Sequence, residues 1–148
     1  MRITTATPED LPAVERLLEQ NTLPRDGVAE NLSSFLVAED ENGIVGAVGL
    51  ELFGSAALLR SAVVAEARRN GGLGAQLIRA AIDRASELGV NDLYLLTMTA
   101  ENYFPRFGFE RVDRGDAPDA IRKSVEFTTA CPASATLMRL QLKPDERG

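Results

Sequence analysis

The chain has 148 residues, 45% of them hydrophobic, enough for one domain with a buried core, and no run approaches the ~18 apolar residues of a membrane span. Its 22 acidic and 16 basic residues give a formal charge of −6, which argues against general attraction to nucleic acid or any other polyanion. One cysteine and no histidine exclude an internal disulfide, Ser-His-Asp triads, Cys-His dyads and zinc clusters, leaving carboxylates, hydroxyls, backbone amides or a bound cofactor for any chemistry. The N-terminus "MRITTATPEDL" lacks a basic flank followed by an apolar stretch, so the expected location is the cytoplasm, without a membrane partner.

In chain order, "RITTAT" (2–7) reads as a short strand. Thr7-Pro8-Glu9-Asp10 then combines an N-cap, a proline at the first helical position and an acidic residue at the third, which starts a first helix with Leu11, Val14, Leu17 and Leu18 on one face. "RDGVAENL" (25–32) suits a shorter second helix. "SFLVAED", the turn "ENG" and "IVGAVGLEL" make a hairpin, because Asn42-Gly43 supplies the positive backbone angles of a tight turn, and "SAALLRSAVVAE" (55–66) is the next strand. After the glycines of "RRNGGLG" (68–74), an amphipathic helix puts Leu73, Leu77, Ala81, Ala85 and Leu88 on one stripe and ends at Gly89. "DLYLLTM" (92–98) is a buried strand, "ENYFPRF" a short helix broken near Pro105, and "FERVDRG" (109–115) another strand. "APDAIRKSVEFTTACP" makes a helical excursion before "SATLMRLQL" (134–142) closes the sheet. Early strands, a middle crossover helix and a late strand pair predict a single α/β domain over residues 1–148, a mixed sheet of about six or seven strands with flanking helices.

The glycine-rich stretch carries the first functional signal. A helix N-terminus holds about half a positive charge and unpaired amides, and glycine lets a phosphate approach them with no Cβ in the way. Arg68 and Arg69 adjoin this cradle in an otherwise acidic chain. A pyrophosphate suits it, although an ordinary strand-to-helix turn that needs glycine for its angles accounts for the same residues. Neither the dinucleotide pattern G-x-G-x-x-G nor the lysine of a nucleoside-triphosphate loop is present.

"RRNGGLG" resembles the R/Q-x-x-G-x-G/A signature of the GNAT N-acetyltransferases, matched by Arg69, Gly72 and Gly74. The likeness continues through the hairpin, "LLRSAVV", "LYLLT" and the aromatic "AENYFPRFGF". This resemblance implies the acetyltransferase fold, with Arg69, Asn70, Gly71, Gly72, Leu73 and Gly74 holding the pyrophosphate of acetyl-coenzyme A. It also implies that the backbone of Val64, with Val63 beside it, pairs with the pantetheine arm. "LLRS", "YLLT" and "CPASA" further resemble a branch of the family associated with arsenic-resistance operons. Two positions depart from the family pattern: Glu66 stands where many members have proline, and Phe104 where many have a tyrosine that protonates the departing thiolate. Phe104 has no proton to give. Its neighbour Tyr103, about 100 degrees away around a helix, reads as a half-buried aromatic, and the thiolate can leave with protonation by solvent.

Candidate bases are few. Glu51 is an acidic residue in an apolar strand, where burial would raise its pKa toward a range useful for taking a proton from an ammonium. The other readings are an exposed strand-end carboxylate or an ion pair with Arg60 of the neighbouring strand. Arg60 and Ser61 are substrate-side candidates, an arginine being suited to a carboxylate or other oxyanion. Strand alternation puts them on opposite faces unless a bulge intervenes. Cys131 reads as a small buried hydrophobe: one thiol is a poor arsenite site, and without a histidine partner an acetyl-cysteine route is disfavoured. The expected activity is metal-free acetyl-coenzyme A-dependent acetylation of a small-molecule amine, by direct attack in a ternary complex. Exposed strand edges would permit a homodimer. The alternative, favoured by Phe104, is a non-catalytic acyl-coenzyme A-binding regulatory module.

Overall fold

A computed structural model describes residues 2–23, 25–68, 71–98, 100–123 and 135–142. The strands are β1 (Arg2–Thr5), β2 (Phe35–Asp40), β3 (Gly43–Phe53), β4 (Ala56–Val64), β5 (Asp92–Thr97), β6 (Glu110–Arg111) and β7 (Thr136–Gln141); the helices are α1 (Leu11–Gln20), α2 (Leu73–Glu87) and α3 (Asp119–Arg122). The seven strands form a mixed sheet in the order β1-β2-β3-β4-β5-β7-β6, the α/β architecture that the element order predicts. The chain divides into two compact units, Met1–Glu51 with Leu59–Ala81, and Leu52–Leu58 with Ile82–Gly148.

In the first unit, α1 begins as the sequence indicates. The Thr7 N–H donates to Asp10 Oδ2 at 2.8 Å, and a short 3-10 turn at Pro8–Asp10 leads into the helix. Its buried face, Val14, Leu17 and Leu18, joins Phe35 and Val37 of β2, Ala47 of β3 and Val63 of β4 in one core. Each of the valine, leucine and phenylalanine side chains among them, fully buried, contributes roughly 1.5–3 kcal/mol. β1 pairs antiparallel with β2, and β2 with β3. Residues 25–32 do not form the second helix that their sequence suggests. They run through turns into a 3-10 segment at Leu32–Ser34, because Gly27 takes a φ of +80°, outside the right-handed helical region. Val28 and Leu32 of this segment still reach the core, which fixes the turns in place.

In the second unit, β7 pairs antiparallel with both β5 and β6. The strand expected to close the sheet therefore lies inside it, and β6 is the edge. Leu137 and Met138, 1% and 0% exposed, explain the placement: an interior strand can cover apolar side chains on both faces. The expected strand at 109–115 is only two residues long, giving way to a 3-10 turn at Arg114–Asp116. Of the helical excursion at 117–132, α3 is the part within the described residues. Leu88 is exposed rather than on the buried stripe of α2. Helix α2 stops one residue earlier, and the Gly89 and Val90 N–H groups return to Ser86 O and Ala85 O at 3.1 and 3.0 Å. This helix-ending motif buries Val90 and turns Leu88 outward.

Candidate functional site

The glycine turn and the polar residues of β3 and β4 both belong to the first unit. After Val64 the chain makes a 3-10 turn at Glu66–Arg68, with Glu66 at its start, and passes through Gly71 and Gly72 into α2. Gln76 N–H donates to Gly72 O at 3.1 Å, so Gly72 immediately precedes the first helical turn. The N–H groups of Leu73, Gly74 and Ala75 thus have no acceptor one turn earlier within the helix. Gly72 has a φ of +84°, and a Cβ built on it would meet nothing within 4 Å. Glycine is therefore required there by conformation, while the space in front of it is open. An open cradle at the positive end of a 15-residue helix fits a pyrophosphate.

The neighbouring candidates take different places. Leu73 is buried, its Cδ2 lying 3.5 Å from where a Cβ on Gly46 would stand; its backbone is what it can offer a ligand. Val63 is likewise buried in the core, and Val64 is half-buried. Ala65 N–H donates to Val45 O at 2.8 Å, tying the end of β4 to β3. Arg68 forms an ion pair with Asp40 at the end of β2. The Asn42 backbone N–H, which donates to Asp40 Oδ1 at 2.8 Å, is the main influence holding the Asp40 carboxyl below its ordinary value. Burial opposes it and the Arg68 guanidinium reinforces it. Arg69 and Asn70, like Cys131, lie outside the described residues.

Glu51 is 7% exposed and Arg60 is 2% exposed. Glu51 Oε1 is 3.5 Å from Arg60 Nη1, so of the two non-catalytic readings the ion pair is the one formed. The other carboxylate oxygen, Oε2, accepts from Asn31 Nδ2 at 3.2 Å, and that nitrogen also donates to Gly27 O at 2.8 Å. On β4, Arg60 Nε donates to Ser61 Oγ at 3.0 Å. Strand alternation would keep these neighbours on opposite faces. The expectation fails because Ser61 has a φ of 60°, a left-handed conformation that interrupts the pleat and costs a non-glycine residue about 1–2 kcal/mol. Burying two charges is costly unless they are paired and hydrogen-bonded; here the two charges pair with each other, and Asn31 and Ser61 add one hydrogen bond each.

Asn31 and Gly27 were not legible as site residues from the sequence. The one local hint is their spacing of four, which lets an asparagine reach back to a backbone carbonyl; nothing local points toward Glu51. In the second unit, Phe104 is 9% exposed, packed edge-on against Tyr103 and Phe109 with ring centroids 5.3 and 5.7 Å away. Tyr103 is half-buried with the Arg106 guanidinium 4.3 Å from its ring centre. An open depression of about 610 Å³ between Arg111, Arg114 and Thr136 includes none of the residues selected from sequence. Among the described residues, no group of three His, Cys, Asp or Glu side chains could hold a metal ion, and no helix is long and apolar enough to cross a membrane.

The family model of the acetyltransferase (GNAT) domain matches residues 31–111, a span holding both the glycine turn and the Glu51–Arg60 pair. The chain belongs to the GNAT acetyltransferase family. An uncharacterized N-acetyltransferase of Chlorobaculum tepidum is 29% identical to this GNAT chain over 108 residues, covering 72% of it and 67% of the relative. An amino-acid acetyltransferase of Neisseria meningitidis is 25% identical over 123 residues; the match covers 77% of this chain but only 28% of that relative. N-acetylglutamate synthase from Neisseria gonorrhoeae, solved with coenzyme A and N-acetyl-glutamate, shares the fold. Its TM-score is 0.82 at 21% identity, over 97% of this chain and 35% of that one.

Proposed function

We propose that this GNAT chain is an acetyl-coenzyme A-dependent N-acetyltransferase, acting as a single domain on the amino group of an amino acid or amino-acid-like small molecule. The relatives named amino-acid acetyltransferase support that acceptor class. Bound acetyl-coenzyme A would supply the activated acetyl group. The amides of residues 71–74, with Arg69 and Asn70 of the same loop, would hold its pyrophosphate, and the backbone at Val63 and Val64 would face its arm and polarise its carbonyl.

Glu51 takes the proton of the acceptor ammonium in this reading. The observation that carries it is a carboxylate 7% exposed within an apolar strand, with an ion pair on one oxygen and a hydrogen bond on the other. Stability alone accounts poorly for such a group, since apolar replacements of buried ion pairs are often neutral or stabilising. Arg60 and Ser61 are assigned to the carboxylate of the acceptor. Because the Arg60 side chain is enclosed, Ser61 makes the direct contact in this reading and Arg60 acts through its Nε–H bond to the Ser61 hydroxyl. With phenylalanine at 104, the thiolate is protonated by solvent.

The test is a panel of amino acids and amines with acetyl-coenzyme A and thiol detection. Thiol release that depends on one acceptor class is expected. Glu51→Gln should then lower kcat by on the order of a hundredfold or more, with acetyl-coenzyme A affinity unchanged. The loss should shrink as pH rises, because an already deprotonated amine needs no base. Phe104, buried and without a hydroxyl, favours the second reading of a non-catalytic acyl-coenzyme A-binding module. Tight binding with no thiol release on any amine would select it.

A further inference from the structure

We infer that Asn31 is a positioning residue for proton acceptance at Glu51, an inference that rests on the reading of Glu51 as the base. Both groups facing the Asn31 side chain at hydrogen-bond distance, Gly27 O and Glu51 Oε2, are acceptors. The atom between them must therefore be the amide nitrogen, whose two N–H groups serve one acceptor each. One bond fastens the amide to its own turn and the other reaches Glu51, twenty residues away in sequence.

The turn itself has little freedom to move. Val28 and Leu32, on either side of Asn31, are 0% and 8% exposed in the core, and Asn31 N–H donates to Gly27 O and Val28 O, both at 3.2 Å. The backbone is also held close to the ion pair: a Cβ on Gly27 would stand 2.9 Å from Arg60 Nη1 and 3.7 Å from both Asn31 Nδ2 and Glu51 Oε2. A charged group set against Glu51 is thus Arg60 from β4, and a neutral donor is Asn31 from the turns. With the Arg60 ion pair at Oε1 and the Asn31 hydrogen bond at Oε2, each carboxylate oxygen is held, and Asn31 supplies the directional bond. A base so fixed needs no reorientation before it takes a proton.

The experiment compares Asn31→Ala, Asn31→Asp, Glu51→Gln and the double variant Asn31→Ala with Glu51→Gln, in the full chain, on the best acceptor of the panel. Asn31→Ala should lower kcat about tenfold while KM for acetyl-coenzyme A stays within about twofold. Its acid limb in the pH profile of kcat should move upward, because the charged carboxylate has lost a donor. Asn31→Asp keeps the volume but sets a like charge on Glu51, so the same limb should move further. In the Glu51→Gln background, Asn31→Ala should change kcat by less than about twofold, since its effect has no base to act through. An equal loss in both backgrounds, or an unmoved pH profile in both Asn31 variants, overturns the inference. Glu51→Gln with unchanged kcat and pH profile removes the base and the inference with it; an impaired Glu51→Gln beside a fully active Asn31→Ala removes Asn31 alone.

Discussion

Arg60 and Arg68 each face a carboxylate within the first unit, in very different surroundings. The Arg60 and Glu51 side chains are 0% and 9% exposed, in a region where neither water nor salt can replace the partner. Arg68 is 41% exposed while Asp40 is 5% exposed, so that arginine remains in contact with solvent at the start of the glycine turn. The first pair commits two charges to the interior and makes each hostage to the other. The second tethers the edge of a loop while leaving its cation within reach of an incoming anion, a weaker restraint in a screened setting.

The sharpest way to break this contrast is Arg60→Met, which leaves Glu51 buried without its counter-charge. Chemical denaturation should show a loss of about 3–5 kcal/mol; a loss below about 1 kcal/mol would place the two pairs in the same class. Next is the turn that Arg68 borders. Gly72→Val puts a side chain into open space and strains a φ of +84°. Calorimetry on the folded variant should find acetyl-coenzyme A binding weakened at least tenfold, about 1.4 kcal/mol, and unchanged affinity would reject the cradle.

The smallest effect belongs to the screened pair. Because the Asp40 carboxyl titrates below its ordinary value near 3.8 in the folded chain, the stabilisation it brings is fully present above that pH. It is lost as pH falls through the folded value. Asp40→Asn should therefore be modestly less stable than the parent at neutral pH, and thermal melts should show the gap closing in acid. Melting curves that stay parallel down to pH 3 or so would mean that Asp40 carries no such linkage.

The elements were legible wherever a local rule decided them. Thr7 through Asp10 announced α1 and the spacing of Leu73, Leu77, Ala81 and Ala85 announced α2. Asn42-Gly43 marked the β2–β3 turn, but of the two only Gly43 has a positive φ, +117°, and it pairs with Asp40, so the central residues are Glu41 and Asn42. The 25–32 segment suits a helix in sequence but is not one, because Gly27 adopts a φ of +80° that sequence permits but does not dictate. Leu88 falls one residue beyond Glu87, where α2 ends, so the helical spacing no longer sets its direction. The glycine turn was readable as a candidate site because the feature that points to it lies in consecutive backbone amides. The Glu51–Arg60 pair was visible only as one of several options, and Asn31 was not visible at all.

By itself the sequence determined the α/β class, the strand and helix order, the glycine turn at the start of α2 and the absence of histidine chemistry. Each follows from composition or from residues only a few positions apart. Tertiary structure alone decided that β7 runs between β5 and β6, that Ser61 turns left-handed so that its hydroxyl meets Arg60, and that Asn31 caps Glu51. These depend on which strands cover which apolar faces and on how a core fixes a turn. The free energy of a contact between residues twenty positions apart is set by the packing that brings them together, and no local pattern in the chain encodes it.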